Sequence, residues 1–214
     1  MEQITPERVY GRNDMVRTDC RDCEGCSSCC ENMGDSIVLD PYDLYLLYHT
    51  YGKDFSELLA EEYIELSVKQ GLILPNIKMK SKQMCCGFLN EEGRCKVHDA
   101  RPGICRLFPL GRQYVDGRIE YFLLPEACPK EPKGKVKVKK WLGMPDIAAY
   151  EKFLVEWHDF RKEIEYAVTN LSEEQIKILD MFVLKQIFER NYEENFFADF
   201  SERIGIVRQT LGME

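Results

Sequence analysis

Residues 20–30 read CRDCEGCSSCC: Cys20, Cys23, Cys26 and Cys29 follow one another at steps of three, and Cys30 is adjacent to the last. Gly25, Ser27 and Ser28 fill the gaps with small side chains, so the backbone can curl and turn successive thiols toward one centre. Neighbouring side chains point to opposite faces of an extended segment and diverge on a helix, so Cys29 and Cys30 are expected to serve different centres. Further out, Cys85, Cys86, Cys95 and Cys105 follow, and Cys128 closes a set of ten cysteines. Distant thiols meeting at one place would staple a loop-rich stretch with little apolar pattern of its own.

Ten cysteines in 214 residues is too low a density for a small disulfide scaffold. Residues 1–19 are polar and lack the apolar core of an export signal, and no apolar run approaches the roughly 18 residues of a membrane span. A soluble cytoplasmic protein is expected, where clustered cysteines hold metal more often than they pair. The 37 acidic and 29 basic side chains leave a net charge of -8, which argues against a basic surface that grips nucleic acid. Neither nucleic acid nor membrane is expected as a partner.

The charge is unevenly divided: residues 141–214 hold 15 acidic and 8 basic side chains, whereas 1–140 hold 22 and 21. Between them, residues 130–140 read KEPKGKVKVKK, a solvated connector or an edge strand. Two regions are expected, a cysteine-cluster metal-binding region over 1–140 and a helical region over 141–214 packed on it. In the second, Ile147, Tyr150, Phe153, Leu154, Trp157, Phe160 and Ile164 recur at helical spacing. Ser172 and Gln175 form a capping box, with Leu171 and Ile176 at staple positions, ahead of a helix burying Ile176, Leu179, Phe182, Val183 and Ile187. Phe196, Phe197, Phe200, Ile204, Val207 and Leu211 make a third stripe that stops at Gly212.

In the first region Asp40 and Pro41 open a helix running through Leu44, Leu47 and Tyr48. Ile64, Leu66 and Val68 alternate as in a strand, and Asp116-Gly117 joins residues 112–115 and 118–121 as a hairpin. The fold class is α+β, mostly α: an irregular, metal-stapled, cysteine-rich region with short strands, then an antiparallel helical tail.

The run Cys23-Glu-Gly-Cys26-Ser-Ser-Cys29-Cys30, then Cys86-Gly-Phe-Leu89, Gly93-Arg-Cys95, Arg101-Pro102, Cys105-Arg106 and Phe108-Pro109, resembles the CxxCxxCC family of zinc- or iron-chelating proteins, also called YkgJ-like. By this resemblance Cys23, Cys26, Cys29, Cys30, Cys86, Cys95, Cys105 and Cys128 occupy metal-chelating positions, and Cys20 and Cys85 look like additions. Cys20 nevertheless completes, with Cys23, Cys26 and Cys30, the C-x-x-C-x-x-C-x-x-x-C ladder of bacterial ferredoxins, although Glu31 stands where those have proline. That tilts the cofactor toward an iron-sulfur cluster, such as 4Fe-4S, over zinc. Where the family often has an aromatic residue, three positions before Arg101, this chain has His98: a ligand, a donor to a ligand or a stacked ring, with the structural roles favoured.

Arg101 and Arg106 flank Cys105 and are candidates to offset the negative charge of the bound thiolates, the alternative being ordinary surface ion pairs. The resemblance extends to flagellin lysine N-methylases, larger proteins with the same cysteine signature, but no glycine-rich nucleotide loop or Ser/His/Asp set supports methyl transfer here. Three readings stand. The first is a metal-binding protein whose thiolate centre is functional, through redox or group-transfer chemistry. The second is a zinc-stapled interaction module whose tail or lysine-rich stretch engages a protein partner. The third is a thiol redox sensor.

Overall fold

The computed structural model describes residues 6–19, 26–80, 84–124, 126–129 and 134–212. Among the described residues the strands form four small antiparallel sheets. Asp116 and Gly117 both take positive φ, 49° and 69°, which matches the twist of a two-residue hairpin. They join β7 (Leu110–Val115) to β8 (Arg118–Leu123), and β1 (Val9–Tyr10) adds to the other edge of β8. A second pair sets β2 (Met15–Asp19) against β9 (Gly134–Lys137). The lysine-rich stretch is therefore an edge strand at 134–137; its residues 130–133 lie outside the described residues. From Val138 it becomes a short helix, α4 (Val138–Leu142), because Val138 and Leu142, one turn apart, are both buried.

The pair β3 (Ile64–Lys69) and β4 (Leu72–Ile77) runs in register from Ile64 opposite Ile77 to Lys69 opposite Leu72. The alternation in β3 marks the strand but not the buried face. Ile64 is buried, yet Leu66 and Val68 face solvent, Val68 at 70% exposure, and the core contribution comes from Leu72, Leu74 and Ile77 of β4. The last pair is β5 (Met79–Lys80) with β6 (Cys85–Cys86).

The helices start where their caps predict. In α1 (Pro41–Tyr51), Asp40 and Asp43 form a reciprocal capping box with proline in the first turn, and Gly52 ends the helix at φ 75°. A second capping box, Asp54 with Glu57, opens α2 (Phe55–Ala60). The short α3 (Gly103–Leu107) follows Pro102, and the Phe108–Pro109 peptide after it is cis. The long α5 (Ile147–Ala167) buries Tyr150, Phe153, Leu154, Trp157, Phe160 and Ile164, the face its spacing predicts. Ser172 and Gln175 cap α6 (Glu173–Val183), which buries Leu179 and Val183 but leaves Ile176 and Phe182 only half-buried. Residues Leu184–Glu189 continue it as a π-helical turn that buries Leu184, Ile187 and Phe188. The last helix, α7 (Phe196–Leu211), stops at Gly212 in the left-handed region, as expected.

One buried cluster draws on both sides of residue 140. Tyr42 of α1 packs edge-on against Phe196 of α7 at 4.8 Å, and Phe153 of α5 meets Phe200 of α7 edge-on at 4.7 Å. The cysteine-bearing half adds Ile37, Leu39, Leu47, Leu58, Phe88 and Val97 to the same cluster, more apolar density than its irregular sequence pattern suggests. Among the described residues, no helix is long and apolar enough to cross a membrane.

The aromatic seam makes a direct prediction. Phe200 is fully buried, so Phe200→Ala should cost about 3–5 kcal/mol in a denaturant titration. Ile178→Ala, at a residue 66% exposed on α6, should stay within about 0.5 kcal/mol of the parent.

Candidate metal centre

Cys26, Cys29, Cys30, Cys86, Cys95 and Cys105 line a single cavity of about 60 Å³. Ile77, Phe88, Leu89 and Val97 supply its apolar walls, and Arg94, His98 and Arg101 also face it. Each thiol arrives on a different local device. Cys29 and Cys30 ride on a 3-10 turn, Ser28–Cys30, closed by Cys30 N donating to Ser27 O at 2.7 Å. Asn32 N donates to Met84 O at 2.7 Å, which ties that turn to the segment carrying Cys86. Cys95 sits after a tight loop in which Arg94 N donates to Asn90 Oδ1 at 2.7 Å and Gly93 takes φ 71°, a conformation that favours glycine. Cys105 is presented by α3, whose Gly103 N donates to Asp43 Oδ1 at 2.7 Å.

Cys29 and Cys30 are expected to diverge, yet both face this one cavity. The expectation treated divergence from one element as separation into two centres; adjacent side chains on a 3-10 turn also diverge, and it is the segments carrying Cys86, Cys95 and Cys105, closing round the turn, that put both thiols on one cavity. The neighbouring Cys30 thiol lowers the Cys29 thiol to about 7, against the opposing effect of burial. The same neighbour raises Cys30, and burial adds to the rise. Burial also raises Cys86 to about 11 and lifts Cys95 and, further, Cys105. Neighbouring thiols push the same way: Cys105 feels Cys86, Cys29 and Cys95. Arg101 pulls Cys29 and Cys95 toward the thiolate.

The remaining candidates are placed as follows. Cys85 pairs with Lys80 and bridges Glu31 through its backbone, and it does not line the cavity. Cys128 is buried but is not among the lining residues, and Cys20 and Cys23 lie outside the described residues. Arg101 faces the thiols and donates from Nη1 to His98 Nε2 at 2.5 Å, so that ring nitrogen is the acceptor and His98 supports the arginine. Arg106 turns away from the cavity. Its Nη2 donates to Asp99 O at 2.9 Å and Arg101 O at 3.4 Å, and its Nη1 to Leu142 O at 3.5 Å, so it ties α3 to the preceding turn and to α4. Among the described residues, no three His, Cys, Asp or Glu side chains stand as a ready-made coordination shell.

Sequence reasoning did not single out Asp43 or Tyr150 for this site. Asp43 belongs to no motif read from the sequence and Tyr150 only to an aromatic stripe; the packing brings both to Gly103.

A model of the family described as "CxxCxxCC: Putative zinc- or iron-chelating domain" matches residues 22–133, just over half of the chain. No curated protein and no solved structure matches it.

The thiol environments predict an order of reaction. In metal-free protein near neutral pH, an alkylating reagent should modify Cys29 ahead of Cys86, Cys95 and Cys105, with the Cys29 rate rising through a pH of about 7 as its thiolate forms. Peptide mass spectrometry after a brief pulse checks this, and equal labelling of all four contradicts it.

Proposed function

The chain belongs to the CxxCxxCC family of zinc- or iron-chelating domains, and we propose that it holds its metal through Cys26, Cys29, Cys30, Cys86, Cys95 and Cys105. The observation that carries this is the convergence of six thiols from four separate segments on one small cavity. The donor set fits a soft metal. Thiolates are the ligands of zinc and of iron-sulfur clusters, and here burial disfavours the bare thiolate, so a bound cation is what would let several of them ionise together. Arg101 then offsets part of the excess negative charge.

Six thiols exceed the four that close one tetrahedral zinc site. With the ladder formed by Cys20, Cys23, Cys26 and Cys30, that surplus favours an iron-sulfur cluster, alone or beside a zinc ion. Cys128 enters this centre only by its place in the family pattern. The bound group would supply redox or group-transfer chemistry, methyl transfer included. The chain's own residues position it, exclude water with Ile77, Phe88, Leu89 and Val97, and balance its charge. Residues 1–140 are on this reading the metal-binding region and 141–214 the helical region packed on it, in a cytoplasmic protein that keeps its thiols reduced. A second reading, a zinc-stapled structural module that engages a protein partner, is favoured by the small size and apolar walls of the cavity, which leave little space for a substrate.

Anaerobic purification with metal and acid-labile sulfide analysis separates the two. Iron with sulfide and a brown colour is the expected result, and zinc without sulfide selects the structural module. Cys95→Ser and Cys105→Ser should each lower bound metal severalfold, whereas Cys85→Ser should leave it near the parent value. Full metal content in both of the first two variants would sink the proposed ligand set.

A further inference from the structure

The helix that presents Cys105 is only five residues long, far below the roughly 12–15 at which a helix is even marginally stable alone. Its position therefore depends on what grips it. At its start Asp43 Oδ1 accepts from Gly103 N at 2.7 Å. At its end Trp141 Nε1 donates to Leu107 O and Phe108 O, both at 3.2 Å. At Gly103 itself the hydroxyl of Tyr150 comes so close that a Cβ there would overlap it. Gly103 lies at no unusual φ, so the glycine is needed for this approach and not for its backbone freedom.

Tyr150 cannot simply swing aside. It is almost fully buried, and its ring packs against Tyr42 at 5.3 Å and Phe153 at 6.1 Å. Trp141 and Tyr150 both lie beyond residues 22–133, the stretch the family pattern covers. We infer that Tyr150 and Trp141 are positioning residues for Cys105: the helical region after residue 140 clamps α3 and completes the metal centre from outside the family domain. This rests on the metal-binding reading above.

The clamp is tested by a clash and its relief. Gly103→Ala introduces the Cβ that meets the Tyr150 hydroxyl, while the next atom, Tyr150 Cζ, would lie at an ordinary 3.6 Å. Removing the hydroxyl alone, as Tyr150→Phe in the Gly103→Ala background, should therefore let α3 return. Metal-free parent, Gly103→Ala, Gly103→Ala/Tyr150→Phe and Trp141→Phe are titrated with Co(II), whose thiolate charge-transfer band reports how many sulfurs bind. Circular dichroism confirms that each is folded, and Ile178→Ala serves as the distant control. Gly103→Ala should lose about tenfold or more in Co(II) affinity with a weakened band, Trp141→Phe should shift the same way, and the double variant should recover most of the loss.

A parallel readout needs no metal: alkylation of Cys105 in the metal-free proteins should be faster in Gly103→Ala and slow again in the double variant. If Gly103→Ala matches the parent in both readouts, or the double variant is no better than the single, the clamp is wrong. If the parent shows no charge-transfer band, the metal-binding reading fails, and the Cys105 alkylation pattern still decides the clamp.

Discussion

Asp43 divides its carboxylate between two backbone amides: Oδ2 accepts from Asp40 N at 2.9 Å and Oδ1 from Gly103 N at 2.7 Å. The first bond closes the cap of α1, and the second fastens that helix start to the segment that carries Cys105. Both oxygens are engaged in a site almost sealed from solvent, where an unpaired acceptor or donor would cost about 1–3 kcal/mol. Asp40, Tyr150 and Arg112 are charged or polar neighbours of the same spot, and Arg112 offsets part of the burial cost of the two carboxylates. The thiol-lined face and the helical layer thus share one buried polar joint. Moving either side disturbs hydrogen bonds on the other.

The thiol cavity depends on that joint for one of its walls and on local turns for the rest. Burial raises the thiols of Cys86, Cys95 and Cys105, and Cys29, lowered by the neighbouring Cys30 thiol, is the exception. A bound cation would favour the thiolate at Cys86, Cys95 and Cys105, against the burial that raises them. Arg101, braced by His98, already contributes positive charge there, whereas Arg106 has a mechanical role in holding carbonyls together. Two arginines that look alike in sequence, each next to the Cys105 turn, are separated in role by which way the short helix faces them.

Local signals were legible wherever the chemistry was local. The N-cap at Asp40, the capping box at Ser172, the Asp116-Gly117 turn, the stop at Gly212 and the aromatic stripe of α5 were all readable, because each depends on residues within one or two turns of each other. Residues 130–140 were half legible. Composition left a solvated connector or an edge strand open, and the start of α4 at Val138 depends on Val138 and Leu142 finding the core. The same holds for β3, where alternation identified a strand and only its partner β4 decided which side is buried.

The sequence by itself determined the family, the cysteine register and the position of most helices, since spacing and capping are properties of neighbouring residues. It could not decide which thiols share a cavity. That depends on a 3-10 turn, a β-pair, a glycine-bearing loop and a helix start converging across sequence separations that no local rule spans. Nor could it assign Tyr150 and Asp43 to the site, because their part there exists only through close approach to Gly103, a contact set by how α1 and α5 pack and not by any motif.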